Sequence, residues 1–162
     1  MAETASAWVL TLNNKHKIAL PQYQTHEYIT TSIQVKVPLA PPHFHSMLLW
    51  RDRMIPLLDL AILVEQKIFT AAKEVVIAAY QTKPGTPLNF VGIIVRDLPF
   101  RIEVNDESAC EPPEQYHGIL RNSVLSCFSY NDQSVPIVNI AYLCSEQLFK
   151  NSTDETNVIL SV

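Results

Sequence analysis

The chain has 162 residues, 48% of them hydrophobic and 17% charged, with a formal net charge of -4 and a pI near 5.7. That is enough apolar material for a buried core without disulfide or metal staples, and the wrong balance for a disordered chain. The acidic total argues against a nucleic-acid partner, no apolar run is long enough for direct membrane insertion, and three glycines are too few and too scattered for a phosphate-cradling loop.

The N-terminal "MAETASAWVLTL" has no basic segment ahead of its apolar stretch, which argues against a signal peptide and for a cytoplasmic protein. "AWVLTL" (7–12) and "KIALPQ" (17–22) predict two strands joined by a turn at "NNK". "SIQVKVPL" (32–39) alternates, with Ile33, Val35 and Val37 on one face, and predicts a half-buried strand. It stops at "PLAPP", where three prolines end any ladder. "HSMLLW" and "RMIPLLDL" predict a hairpin around Arg51 and Asp52. "LAILVEQKIFTAAKEV" (60–75) is the best helix candidate, and "VVIAAYQT" (75–82) predicts a buried strand before the turn "KPGTP". "NFVGIIVRDL" (89–98) and "FRIEV" (100–104) predict strands, and "NDESACEPPEQ" (105–115) an acidic loop. "HGILRNSVLSCFSYNDQSVPIVNIAYL" predicts two or three strands around the turn "YNDQ". "SEQLFKN" predicts a short helix, and the tail from Ser152 a frayed end. Short strands at this spacing indicate an all-β barrel or sandwich. One internal echo stands out: "RMIPLLDLAILV" and "SVPIVNIAYLC" share their order of Pro, aliphatics, Asp or Asn, and Ala, as two similar lobes would.

The three cysteines, Cys110, Cys127 and Cys144, are odd in number and lack a C-x-x-C pair, so free, mostly buried thiols are expected. Cys127, in apolar "VLSCFSY", suits an inert thiol better than a nucleophile. His43 and His45 in "HFH" would share a face of an extended segment as a metal pair. No spacing fixes a third ligand among His117, Cys110 or a carboxylate. No catalytic residue, metal or cofactor is expected.

"SMLLWRDRMIPLLDL" resembles the core motif of the CheW-like chemotaxis adaptors, G-x-x-N-x-R-G-x-x-x-P-x-x-D-L, with Arg51, Pro56, Asp59 and Leu60 at the matching spacing. "VPLAPPHF" resembles the proline-bearing segment before that motif, and "THEYI" the family's V-x-E-I segment with Glu27 at the acidic position. "FVGIIVRDL" and "YHGIL" resemble two family strands through Gly92 and Gly118. "VPIVNIAYL" resembles the closing strand. The likeness spans about residues 8 to 148 in order. It departs from the pattern at Ser46, Leu49, Asp52, Arg96 and Asn139. The "WRDR" version resembles the divergent ChpC-type branch of type IV pilus chemosensory systems.

The resemblance implies two intertwined five-stranded SH3-like barrels with one or two short helices. It implies one domain over 1–162, with lobe 1 at roughly 15–80, lobe 2 at 7–14 plus 81–150, and a frayed tail at 151–162. It further implies a non-enzymatic adaptor that meets the regulatory domain of a CheA-type histidine kinase and the cytoplasmic tip of a methyl-accepting chemoreceptor. Such an adaptor is recruited to membrane-associated receptor arrays and, in the ChpC-type branch, serves twitching motility. The departures motivate an alternative: a β-barrel interaction module that binds another regulator outside chemotaxis.

Reversible docking uses an apolar centre with Arg or aromatic anchors, and Trp50 beside Arg51 supplies both. Arg51 is expected either toward an inter-lobe groove that takes a receptor helix or paired with Asp59 or Asp52 as a hairpin pin. Glu27 is expected as a rim charge of that groove or as a solvated strand residue. Asp59 and Met54 complete the expected partner-binding set. Pro56, at a strand edge or bulge, Gly92 and Gly118 are expected to be structural.

Overall fold

The computed structural model describes residues 3–65, 74–116 and 118–145. In chain order these hold β1 (Ala5–Thr11), β2 (Lys17–Pro21), β3 (Thr25–Ile29), β4 (Ile33–Lys36), β5 (Ser46–Trp50), β6 (Arg53–Leu58), α1 (Leu60–Glu65), β7 (Glu74–Tyr80), β8 (Asn89–Val95), β9 (Phe100–Val104), α2 (Gly118–Asn122), β10 (Val124–Tyr130), β11 (Gln133–Val138) and α3 (Ile140–Leu143). The strands form a five-stranded sheet, β10-β11-β2-β1-β9, and a six-stranded sheet, β3-β7-β8-β6-β5-β4.

Both sheets curl. Beyond β9, Ala109 bridges Phe128 and the Cys110 amide donates to the Cys127 carbonyl at 3.0 Å. The chain leaving one edge of the first sheet therefore touches the strand at its other edge. In the second sheet, Glu27 on β3 meets Trp50 on β5, strands that three others separate in the sheet order. Each sheet wraps its own apolar filling: Val9, Ala19, Phe128 and Val135 in the first, and Leu48, Trp50, Ile55, Leu57, Val75 and Ile77 in the second. A third cluster is shared. Leu10, Leu12, Ile18 and Leu20 from the first sheet pack with Leu58, Val76, Val91 and Ile93 from the second and with Leu60, Leu120 and Ile140 from the helices.

The expected all-β fold of two barrels is present, with β4 as the strand beyond five in the second sheet. The internal echo is structural. Arg51-Asp52 and Asn131-Asp132 are matching two-residue turns, all four residues at positive φ, 47° to 62°. Such turns match the right-handed twist of the strands they join. Each is followed by a strand with proline at the same place, Pro56 or Pro136, and then a parallel pairing, Leu57 with Gly92 or Ile137 with Ala19. Each strand then enters a helix, through Asp59 or Asn139.

Several expectations change. β2 belongs with β1, not with the segment that follows. The Asn13 side chain accepts from the Lys15 and His16 amides at 2.9 and 2.8 Å, and that tight turn folds β2 back onto β1. β8 likewise pairs along its length with β7 in the second sheet. The lobes therefore divide as 5–21 with 100–138 and as 25–95. β4 is not half-buried: Ile33 is 64% and Val35 52% exposed, because β4 is the sheet's edge. "GILRN" (118–122) is a helix, not a strand, and carries Leu120 into the shared core. "PHF" is a single helical turn rather than extended chain. The helix expected over 60–75 is described as α1 as far as Glu65, its last two residues belong to β7, and most of "SEQLFKN" and the tail from Ser152 lie outside the described residues.

Candidate functional site

The β5–β6 hairpin gathers the site. Trp50, the last residue of β5, points inward and is 6% exposed. Its indole N–H donates to Glu27 Oε2 at 2.8 Å. Arg51 projects from the turn, its side chain 63% exposed, with its guanidinium 4.8 Å from the Trp50 ring centre and 3.4 Å from the same Glu27 oxygen. Glu27 thus receives a hydrogen bond and an ion pair at one oxygen. Phe90 packs tilted against Trp50, ring centres 4.9 Å apart, and His26 sits edge-on to both rings at 5.5 Å. Arg53 lies 5.9 Å from the Phe90 ring. Arg51 pairs with Glu27 and not with Asp52 or Asp59.

Glu27 also lines a groove of about 410 Å³ where the two sheets meet. Trp8, Leu98 and Pro99 come from the first-sheet side, and Thr25, His26 and Tyr28 from β3. Leu98 is 64% exposed there. Glu27 is thus shared between the Arg51–Trp50 node and the groove lining.

A second surface lies on the outside of the β4–β5–β6 strip. The register places Ile33 opposite Leu49 and Leu49 opposite Met54. Two residues along, Val35, Met47 and Pro56 form a parallel row. Because side chains alternate across a strand, the buried Leu48 and Ile55 fix the inward face and leave these six outward. Ile33, Val35, Leu49 and Met54 are exposed.

Asp59 departs from its expected place on a partner surface. It is 2% exposed, between β6 and α1. Burial pushes its carboxyl above the ordinary value, against the opposing pull of the Arg96 and His45 charges and the Ala61 and Ile62 amides. Neither oxygen has a hydrogen bond of good geometry. Its counterpart Asn139 accepts from the Tyr142 amide at 3.2 Å and caps α3. Asp59 holds the matching position at the start of α1, with the Ala61 and Ile62 amides beside it. Pro56 lies on an inner strand, yet the β8 ladder begins only at Leu57, so its missing N–H interrupts no pairing there. A Cβ on Gly92 would sit 3.0 Å from Leu57 and Val75 and 3.1 Å from Leu48. Gly118 adopts φ 59° at the start of α2, with open space where a side chain would go.

His43 is buried, and burial lowers its imidazole pKa, while His45 Nδ1 lies 2.7 Å from Ser46 Oγ. His117 lies outside the described residues. Among the described residues no three His, Cys, Asp or Glu side chains converge as a metal site would need. No helix among them is long and apolar enough to cross a membrane. The sequence did not single out His26, Phe90, Trp8 or Leu98, which meet only through curling. The outward row of Ile33 and Leu49 was readable in principle from alternation once Leu48 was known to face inward.

The model of the CheW-like domain matches residues 7–148. The chain belongs to that family. CheW-like proteins are scaffolds of chemotaxis signalling rather than enzymes. The fold is similar to the crystal structure of the scaffolding protein TtCheW from Thermoanaerobacter tengcongensis, at 19% identity and a TM-score of 0.68, over 88% of this chain and 89% of that one. No curated protein sequence matches significantly.

Proposed function

We propose that this CheW-like chain couples chemoreceptors to a CheA-type histidine kinase. One surface meets the kinase's regulatory domain and the other the receptor's cytoplasmic tip. The carrying observation is the open apolar strip of Ile33, Leu49 and Met54 on the same barrel as the Arg51–Glu27–Trp50 node. An apolar centre beside arginine and aromatic anchors is the composition of an interface core. The strip suits the flat side of another barrel. The groove, with apolar walls and Glu27 in its lining, suits a helix held in register by a few charges. The likeness of "WRDR" to the ChpC-type branch supports a place in a pathway that controls type IV pili and twitching motility, at the membrane-associated arrays where receptors gather.

The test is titration calorimetry of the purified chain against a kinase regulatory domain and, separately, a receptor-tip fragment from the same host. Met54→Glu is expected to weaken kinase binding about tenfold or more while sparing the receptor fragment, as loss of an interface anchor does. Absence of binding to both fragments by the folded wild-type chain would sink the proposal.

A further inference from the structure

Cys110 and Cys127 are separated in sequence but meet in the fold. Their sulfurs are 3.4 Å apart, and the Cys110 amide donates to the Cys127 carbonyl beside them. Both belong to the seam where the loop after β9 closes onto β10. We propose that this seam carries a dithiol site that a hydroperoxide converts to an intramolecular Cys110–Cys127 disulfide.

The surroundings assign the roles. Ser134 Oγ lies 2.8 Å from Cys127 Sγ and donates its proton to the Glu111 carbonyl at 2.6 Å. With that proton committed, the short contact is made by the Cys127 S–H donating to the serine oxygen. Burial, against the opposing pull of Ser134, pushes the Cys127 pKa up to about 11 and so favours the thiol form. Cys110 is the more exposed of the two and carries the first step. Its thiolate attacks one peroxide oxygen, the O–O bond breaks, and an alcohol or water leaves after taking up a proton. Cys110 is then a sulfenic acid. The Cys127 sulfur attacks the Cys110 sulfur, the S–O bond breaks, and water departs with the thiol proton. In sum, two thiols and one hydroperoxide give one disulfide, one alcohol or water, and one water. Closure needs the sulfurs to approach from 3.4 Å to a bond of about 2.05 Å. Cys110 is itself partly exposed, so a small oxidant meets it from solvent, while a groove of about 320 Å³ beside Ala109 reaches Cys127. Cys144 is not part of the site: its neighbour is Tyr80, and burial pushes its thiol up to about 12.

The product would staple the acidic loop to β10 and fix the first barrel shut. The experiment uses the full chain, reduced and freed of reductant, then exposed to hydrogen peroxide. Intact mass spectrometry is expected to show loss of two hydrogens, and peptide mapping to find Cys110 joined to Cys127. Cys144→Ser is expected to give the same product, and Cys110→Ser and Cys127→Ser to lose it. The oxidised wild type is expected to unfold roughly 5–10 °C higher than the reduced. A folded wild-type chain that stays reduced, oxidises to sulfinic acid, links through Cys144 or links between chains would overturn the proposal.

Discussion

Arg51 occupies a backbone conformation that suits asparagine or glycine, with φ at 47°. For a long side chain, that region costs roughly 1 kcal/mol or more. Its ring contact and its exposed ion pair return about 0.5–1 kcal/mol each at most. These terms nearly cancel, so stability alone gives little reason for arginine at this turn, and its counterpart in the other barrel is Asn131. Replacing Arg51 with Asn is therefore expected to change the unfolding free energy by less than about 1 kcal/mol in urea titration. The same change is expected to weaken binding of the partner that uses this node about tenfold, since buried Arg anchors carry such weight. A large loss of stability with unchanged binding would make Arg51 a hairpin pin. Asp59 is the opposite case, fixed by the interior. Its folded pKa is raised above the ordinary 3.8, so the folded state holds its proton to higher pH than the unfolded chain does. Stability from this group is then fully present below 3.8 and lost as pH rises through the folded pKa. Asp59→Asn, which copies the cap at Asn139, is expected to raise the melting temperature at pH 7. The gain should shrink toward zero below pH 3.8, which melts across a pH series would show.

At the scale of elements, the parallel contact of β6 with β8 depends on what Gly92 lacks. Three core side chains from β5, β6 and β7 converge within 3.1 Å of its missing Cβ. Gly92→Ala is expected to cost about 1–3 kcal/mol, the range for overpacking a close-packed interior, as read by chemical denaturation. An unchanged midpoint would mean that the Leu57 and Leu48 ends swing aside freely. The same elements show how far the sequence can be read. Alternation in "SIQVKV" identified a strand correctly, because period two is a property of the backbone. It misjudged burial, because alternation says that two faces differ and not that one is covered. The faces differ on β4, yet the apolar one looks outward at a sheet edge. Segment 118–122 failed for another reason: four or five residues are too few for a helical period to show against a strand-like one. The motif residues were legible as a set, but the meeting of Glu27 with Trp50 was not. It arises from closure of the second sheet, a long-range event that no local window contains.

At the scale of the molecule, the repeated hairpin–strand–helix units form two barrels that are not independent. The chain starts in the first sheet, builds the whole of the second, and returns to finish the first. The shared cluster draws on both sheets and all three helices, and the Arg96 amide on one side donates to the Thr11 carbonyl on the other at 2.8 Å. Unfolding either barrel alone would expose Leu10, Ile18, Val91 and Ile93 to water on one side. Each such side chain is worth roughly 1.5–3 kcal/mol when buried, which approaches the whole stability of a small domain. The two barrels are therefore expected to unfold together. The sequence supplies the probes, since its two tryptophans, Trp8 and Trp50, lie one in each sheet. Trp8→Phe leaves only the second-barrel signal, and Trp50→Phe only the first. In each variant, the urea curve followed by the remaining indole is expected to coincide with the curve followed by far-ultraviolet circular dichroism. Separation of the two curves within either variant would show a barrel standing alone, and would assign the shared cluster to only one of them.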